Sequence, residues 1–570
     1  MFTSELQALD QRIAKQTKHL DLWRKPKEPL LFETLRAIDL VYCRELFEDG
    51  SFAESKNEIH YRSLQSWGVN KALERLIPDS FLSGPFALFP SSETIQGQVD
   101  DFLFHCGIVE RAEMLRNWLA DDLLSARLDT PKELLPSGIK HFLVLKTADP
   151  SLYGEIVSRA QRRWLSDVSR TIDRAWEESL EKRHMDILAD LMKQVDMFAD
   201  WGIRYTTTPE IDRYFDEWGQ VYLRRMWSHD LIGLEEKLGG NQFNEYLGVL
   251  AAVSGRAQKH ICFACLLKQR HPQLDWRNLL TTYAPFRGFL HGLAIHLDAD
   301  TLQLQKLLSS ITLEPSNKSA HLGVSETAWA PMVRTNQENL ILPLYGLEIN
   351  PFLFLLRDLQ VKYPRDWFEI ANNRETRWRK ELNDAFHDSR WVCAKSGLLL
   401  RHEGRVVTDI DALVYDHEKN EIGLFQLKWQ QPVGIHGRAN RSAAKNLVLE
   451  SNKWVATVRG WLDKHGVPEL LSRLGISAKA TPRVLFFVLG RYNAHFAGKR
   501  VADQDAVWAD WPHFIRAFAE TKGASLGGIE ERLRAETTRI RAEYDGESYF
   551  LPLDDMAILF NPIKEPEGAY

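Results

Sequence analysis

Four polar residues, Asp409, Asp411, Gln426 and Lys428, interrupt two short apolar runs in the segment TDIDALVYDHEKNEIGLFQLKW, residues 408–429. Burying a charged group is costly unless the group is paired or binds a metal ion. Carboxylate and amide oxygens can ligate Mg²⁺, which prefers oxygen and keeps several of its waters. An ammonium beside the ion can stabilise negative charge on a phosphate. The segment therefore predicts metal-assisted hydrolysis of a phosphodiester.

The polar turn DHEKNE predicts that this segment is a hairpin, with strands at about 405–415 and 422–429. Because side chains alternate between the two faces of a strand, the two acids share one face, and so do the amide and the ammonium. Pairing of the strands would bring both sets to one edge of the sheet. The alternative is a solvated strand face whose acids pair with Arg405 or Lys428.

The apolar pattern around the hairpin predicts helices before and after it and a buried strand beyond them. The expected elements are a helix at about 371–388, a short strand near 391–395, the two hairpin strands, a helix at about 438–463, the strand RVLFFVLG at 483–490, and helices near 511–521 and 528–543. The order up to residue 490 is α-β-β-β-α-β.

Within this order, the pattern Asp-x₁₄-Gln-x-Lys resembles the PD-(D/E)xK nuclease superfamily, which has the restriction-endonuclease-like fold. Gln in place of Glu is similar to the variant of Mrr-like restriction enzymes, and the resemblance covers about residues 370–490. It implies that Asp411 and Gln426 are metal ligands, that Lys428 is the catalytic lysine, and that the enzyme cleaves double-stranded DNA with Mg²⁺ or Mn²⁺. Since Gln426 removes a negative charge, either another acid compensates or the domain is an inactive nucleic-acid-binding or scaffold component.

The first predicted helix contains a candidate for the compensating acid. The apolar residues of NNRETRWRKELNDAF form one stripe, and Glu375 lies near its middle, whereas Glu381 lies well off it. We therefore expect Glu375 to be the third acid of the site, with Asp409 as the alternative metal ligand. Glu375 would otherwise be an ordinary acid in a first helical turn, where the helix dipole favours it.

Charge is unevenly distributed along this chain, whose formal net charge is −6. Residues 371–500 contain 22 Lys and Arg against 13 Asp and Glu. A locally basic region fits a polyanion such as DNA, and it would equally fit a surface that docks on the acidic remainder. We expect phosphate contacts on the helix after the hairpin, with a solvated helix face as the alternative; the candidates are Arg438, Arg441, Lys445 and Lys453.

Residues 1–340 are predicted to be a mostly α-helical region that senses, regulates or oligomerises. Helical spacing extends over Tyr153–Trp201 and again over 243–267. A stretch rich in Pro, Gly, Ser and Asn at about 310–350 separates this region from the expected nuclease domain at 351–570. The predicted fold class is therefore α+β overall, with a C-terminal α/β domain.

The remaining features predict a cytoplasmic protein. No apolar run approaches the roughly 20 residues of a membrane span, and the N-terminus lacks a signal-peptide pattern. The five cysteines are scattered and do not suggest a disulfide framework. The family resemblance implies a role in prokaryotic restriction or phage defence, with a second copy or another defence protein as a partner.

Overall fold

The computed structural model of this protein describes residues 4–20, 28–43, 56–84, 88–121, 123–130, 139–147, 174–224, 232–323, 327–429, 445–476, 480–495, 501–521, 525–543 and 549–561. Within these ranges the chain has the predicted α+β class, with more helix than strand. None of the helices described is long and apolar enough to cross a membrane.

Helices predominate before residue 350, and short strands lie between them. In chain order the elements are α1 (Ser4–Leu20), α2 (Glu28–Cys43), α3 (Lys56–Trp67), α4 (Val69–Leu76), α5 (Glu93–Ala120), β1 (Leu124–Asp129), β2 (His141–Thr147), α6 (Arg174–Gln194), β3 (Val195–Phe198), β4 (Gly202–Tyr205), α7 (Pro209–Arg224), β5 (Lys237–Leu238), β6 (Asn241–Gln242), α8 (Phe243–Arg270), β7 (Thr282–Pro285), α9 (Phe286–Leu297), α10 (Thr301–Ser309), β8 (Thr312–Leu313), α11 (Lys318–Leu322), β9 (Met332–Val333), β10 (Asn339–Leu342) and α12 (Tyr345–Ile349). The helix predicted over 243–267 is confirmed as α8, which is buried on most of its faces.

The helix predicted over Tyr153–Trp201 ends earlier than its sequence pattern suggests. Residues 148–173 lie outside the described ranges, and α6 is followed at once by the antiparallel pair β3 and β4. Ala199 and Asp200, with φ angles of 49° and 61°, form the tight turn between these strands. After Gln194 the chain therefore forms a β-hairpin in place of the predicted helix.

The C-terminal part follows the predicted order, with one inserted hairpin. Its elements are α13 (Pro351–Lys362), α14 (Pro364–Ala385), β11 (Trp391–Cys393), β12 (Leu398–His402), β13 (Arg405–Ile410), β14 (Ala412–Asp416), β15 (Glu421–Lys428), a π-helical turn (Lys445–Leu449), α15 (Glu450–Ser472), β16 (Arg483–Gly490), β17 (Ala506–Asp510), α16 (Trp511–Glu520), α17 (Leu526–Glu543), β18 (Tyr549–Leu553) and β19 (Met556–Asn561). The helix predicted at about 438–463 is the first part of α15, which Gly466, with φ 77° and ψ 160°, separates from a short second part that ends at Ser472. Residues 430–444 lie outside the described part.

Five strands of this part form one mixed sheet in the order β11-β14-β15-β16-β17. β15 is antiparallel to β14 and parallel to β16, which is in turn parallel to β17. α14, α16 and α17 pack on one face of the sheet, and α15 packs on the other. The apolar strand predicted at 483–490 is β16, and its neighbours on both sides explain why its apolar run is continuous.

The first strand of the predicted hairpin is two strands separated by a bend. β13 ends at Ile410 and pairs with β12 in a separate two-stranded ribbon, whereas β14 begins at Ala412 and pairs with β15. Asp411 is the residue between them. The prediction of one strand over 405–415 is therefore wrong at this residue, because the chain changes sheets there.

The last two strands return to the N-terminal part. β19 pairs in parallel with β2, giving a sheet of order β1-β2-β19-β18. Arg12 and Lys15 of α1 form salt bridges of 2.9 and 2.6 Å with Asp555 and Asp554 in the turn of this hairpin. The predicted division near residues 340–351 stays a prediction, and residues 549–561 complete a sheet that begins on its other side.

We expect a fragment comprising residues 364–543 to fold alone, because it contains the five-stranded sheet and the helices on both faces. Circular dichroism should show a cooperative melt. Extending the fragment to residue 570 should not raise its Tm, since the β18–β19 hairpin joins a larger sheet through β2, which only the whole chain contains. A gradual melt of the shorter fragment, or a gain of several degrees on extension, would contradict this division of the fold.

Candidate active site

Asp411 is fixed at the bend between β13 and β14 by both its backbone and its side chain. Its backbone N–H donates to the carbonyl of Phe425 at 3.1 Å, and its carbonyl accepts from Nη1 of Arg379 at 3.1 Å. Its Oδ2 accepts hydrogen bonds from the backbone N–H of Leu427, at 2.7 Å, and from Nε2 of Gln426. With 8% of its surface exposed, the carboxylate is held against β15.

Burial raises the pKa of Asp411 to about 7. The hydrogen bond from Leu427 opposes this rise, the negative charge of Glu375 adds to it, Lys428 opposes it and Asp409 adds to it. Glu375, Asp409 and Lys428 are therefore close enough to Asp411 to act on its carboxylate electrostatically. A cation at this place would favour the ionised form of Asp411.

Gln426 and Lys428 lie at the carboxyl end of β15, where the parallel strands of the sheet end together. Lys428 is in register with Gly490 of β16, which is in register with Asp510 of β17. Gln426 is buried and Lys428 is partly exposed. The carboxyl edge of parallel strands is where open α/β sheets bind ligands, so both residues are placed where chemistry is expected.

Glu375 and Asp409 lie close to Asp411 but are exposed to solvent. The expectation that Glu375 lies on the buried stripe of its helix is wrong, because that stripe passes through Arg374 and Trp378. Asp409 lies in β13, before the bend, so it does not share a strand with Asp411. Their role as metal ligands stays a prediction.

The residues present fit one divalent cation held partly through water. Among the described residues, no group of three His, Cys, Asp or Glu side chains is arranged to hold a metal ion. Oδ1 of Asp411 accepts no hydrogen bond from any described residue, and the amide of Gln426 that donates through Nε2 leaves its oxygen for another contact. Because Mg²⁺ retains several waters, one buried carboxylate and an amide oxygen form an adequate set of donors.

Arg491 is a residue of this edge that the sequence did not reveal. It follows β16 directly, is 3% exposed, and donates its backbone N–H to the carbonyl of Lys428 at 3.1 Å. Its guanidinium pairs with Glu381 at 2.6 Å and lies within 6 Å of three indole rings, those of Trp378, Trp429 and Trp511. Arg491 therefore ties α14 to the strand ends and fixes the backbone that carries Lys428. Two sequence features could have indicated it: Arg491 follows the apolar strand directly, and Glu381 lies off the apolar stripe of its helix.

The candidate phosphate contacts are only partly described. Lys445 is exposed in the π-helical turn, and Lys453 is exposed in the first turn of α15. Arg438 and Arg441 lie outside the described residues. The two lysines precede and begin the helix that covers one face of the sheet, and their contact with DNA stays a prediction.

No protein-family model matches this chain, and neither a curated protein nor a solved structure is significantly similar to it.

We expect Asp411→Asn to stabilise the metal-free protein at neutral pH. An acid with a raised pKa binds its proton more tightly in the folded state, so its contribution to stability falls as the pH rises from about 4 to about 7. Asn stays uncharged and still offers an oxygen to Leu427 and Gln426. In EDTA the Tm of the variant should exceed that of the parent by several degrees at pH 8, and this difference should shrink toward pH 4.5.

Asp384→Asn is a matched control, since Asp384 is an exposed acid on α14 and its loss should leave the Tm unchanged at either pH. An Asp411→Asn variant that melts below its parent at pH 8, or that shows a constant difference over the whole pH range, would be inconsistent with a buried and electrostatically costly carboxylate.

Proposed function

We propose that this protein is a nuclease that hydrolyses phosphodiester bonds of double-stranded DNA with Mg²⁺ or Mn²⁺. The proposal depends mainly on one observation: Asp411 is a buried carboxylate beside the carboxyl end of β15. It accepts a hydrogen bond from the backbone N–H of Leu427, the residue before Lys428. Burial raises the pKa of this carboxyl, and carboxyls with perturbed pKa values are common at functional sites. The resemblance to PD-(D/E)xK nucleases, including the Mrr-like Gln variant, supports the same reaction.

Each residue of the site has a definable task in this reaction. Asp411 would provide the one buried carboxylate ligand, and Gln426 would orient it through Nε2 while offering its own oxygen. A bound divalent cation would polarise the phosphoryl oxygen and lower the pKa of a water molecule. Lys428, whose charge acts on Asp411, would stabilise the negative charge that develops on the phosphate.

Glu375 and Asp409 would compensate for the negative charge that Gln426 does not supply. Both already act electrostatically on Asp411, and both are exposed, so they can ligate through bridging waters. Glu375 is the better candidate because α14 also contributes Arg379, which holds the backbone of Asp411.

The basic helix after the hairpin would bind the DNA backbone through Lys445, Lys453, Arg438 and Arg441. Such contacts position a duplex without reading its sequence. A cytoplasmic setting in prokaryotic restriction or phage defence belongs to this proposal, as does a regulatory or oligomerising role for residues 1–340.

An inactive nuclease fold that only binds nucleic acid is the second candidate, and one observation favours it. The carboxylate of Asp411 already receives two hydrogen bonds, and its raised pKa would let it exist as a neutral acid without any cation. That protein would bind DNA and leave it intact, and EDTA would not change its affinity.

Plasmid cleavage separates these two functions. The parent should nick or linearise plasmid with Mg²⁺ or Mn²⁺ and stop in EDTA. Asp411→Ala should abolish cleavage, and Lys428→Ala should slow it by about a hundredfold or more while leaving DNA affinity largely unchanged, because its charge serves the transition state. Gln426→Glu should retain cleavage or change its metal preference, since it restores a charged ligand.

Lys419→Ala provides the matched control for the lysine, because Lys419 is exposed in the turn at the opposite end of β15. Its cleavage rate should equal that of the parent. The same assay on single-stranded DNA and on RNA identifies the substrate class. Cleavage by a folded Asp411→Ala protein at the parental rate would show that this edge is not the active site.

A further inference from the structure

A second site lies in the N-terminal part, in a cavity of about 560 Å³ between α2, the hairpin β3–β4, α8 and β7. Small-molecule sites in proteins are typically of about 300–1,000 Å³, so the cavity has room for one compact ligand. We refer to it as the arginine cavity, after Arg36, Arg204 and Arg256 in its lining. It is separate from the edge of the sheet that carries Asp411.

The charges around the arginine cavity favour an anion. The described lining residues include four cationic side chains and one acid, Asp212, whose carboxylate already contacts Lys259 and accepts a hydrogen bond from Thr207. His260 adds no charge, since burial lowers its pKa to about 4. Arg204 pairs with Asp196, outside the lining, at 3.2 Å. Arg256 and Arg36 are therefore the cations of the lining that an anionic ligand could bind.

Arg256 is the cation with the least compensation. It projects from α8, is largely buried, and forms neither a hydrogen bond nor a salt bridge with any described residue. Its guanidinium lies 5.1 Å from the ring of Phe289. Desolvation lowers the pKa of Arg256, and the charges of Asp212 and Asp216 offset this effect only in part. An anionic ligand would provide the missing partner.

Arg36 is a second cation with unused hydrogen-bonding capacity. It is 1% exposed, and its Nη atoms bind Glu33 at 3.2 Å and the carbonyl of Phe89 at 3.0 Å, but its Nε has no partner. Glu33 is shared, because it also pairs with Arg277 at 3.1 Å. The carboxylate of Glu33 therefore neutralises only part of the charge on Arg36.

Aromatic rings line the same cavity beside these cations. Trp201 lies near the Arg36 guanidinium, at 5.8 Å from ring to Cζ, and Phe198 packs edge-on against Trp201. The other aromatic residues of the lining are Phe32, Tyr205, Tyr283 and Phe289. Flat apolar faces beside arginines suit a ligand that joins a planar ring to an anion.

We propose that the arginine cavity binds a free nucleotide, with its phosphate on Arg256 and Arg36 and its base against the aromatic residues. The sequence contains no Gly-x₄-Gly-Lys-Ser/Thr loop of the kind that binds nucleotides in P-loop NTPases. We therefore expect this site to bind the nucleotide without hydrolysing it. The larger cavity of about 820 Å³ is a poorer candidate, because its Asp216 and His296 pair with each other at 2.7 Å and its lining is mainly apolar. The proposal stands whether or not the C-terminal part cleaves DNA.

Titration calorimetry on the full chain tests this directly. The probes are AMP, ATP, GMP, GTP, the cyclic mononucleotides and cyclic dinucleotides, with adenosine, guanosine and inorganic pyrophosphate as partial ligands. At least one nucleotide should bind with a Kd in the micromolar range, and the matching nucleoside and pyrophosphate should each bind at least tenfold more weakly. Absence of binding by every nucleotide at 1 mM would overturn the proposal.

Arg256→Ala should raise the Kd of the nucleotide by tenfold or more, whereas Arg256→Lys should retain part of the affinity. Phe198→Ala should also weaken nucleotide binding, and it should leave the fold intact because the side chain is 44% exposed. Arg213→Ala is the matched control, because Arg213 is exposed on α7 and lies outside the lining. Parental affinity in both Arg256→Ala and Phe198→Ala would place the nucleotide elsewhere and refute the site.

Discussion

The hydrogen bonds from Leu427 and Gln426 to the carboxylate of Asp411 are the interaction on which the C-terminal part depends. They fix the chain at the point where it leaves the β12–β13 ribbon and enters the five-stranded sheet. They also hold the carboxyl group of Asp411 in a buried position, where desolvation raises its pKa. The strand pairing on both sides of β15 must therefore offset the cost of one carboxylate that an asparagine would avoid.

The contacts of Arg491 complete this arrangement at the neighbouring strand. Its backbone binds Lys428, its guanidinium binds Glu381, and three tryptophans surround it. The result is a rigid connection between α14 and the ends of β15 and β16. The proposed catalytic role of Lys428 requires such support, because a small displacement of a reacting group lowers the reaction rate strongly.

Much of the fold could be predicted from local patterns, and the rest depends on contacts between distant residues. The strand at 483–490 is a short continuous apolar run, and α8 is a long apolar segment without proline, so the type of each is evident from the sequence. The bend at Asp411 could not be read in this way, since alternation of side chains continues through it. Nothing local in residues 549–561 shows that β19 pairs with β2, some 400 residues earlier in the chain. The exposure of Glu375 was missed for a similar reason, because the extended helix α14 buries Arg374 and Trp378 instead.

The N-terminal and C-terminal parts of the chain are connected by helices that pack into the N-terminal core. Phe352 and Leu355 of α13 and Trp367 of α14 pack in the same core as α8, which also carries Arg256. The second half of α14 then reaches the sheet edge with Arg379 and Glu375. One continuous helix therefore contacts both the N-terminal core and the candidate active site.

Binding of Mn²⁺ followed by electron paramagnetic resonance, without DNA, tests the central role of Asp411 most directly. The parent should bind an ion that Asp411→Asn fails to bind, while Asp384→Asn, which removes an exposed acid from the same part of the fold, should bind it as the parent does. Equal Mn²⁺ binding by the parent and a folded Asp411→Asn protein would contradict the account, because the buried carboxylate would then have no cation to hold.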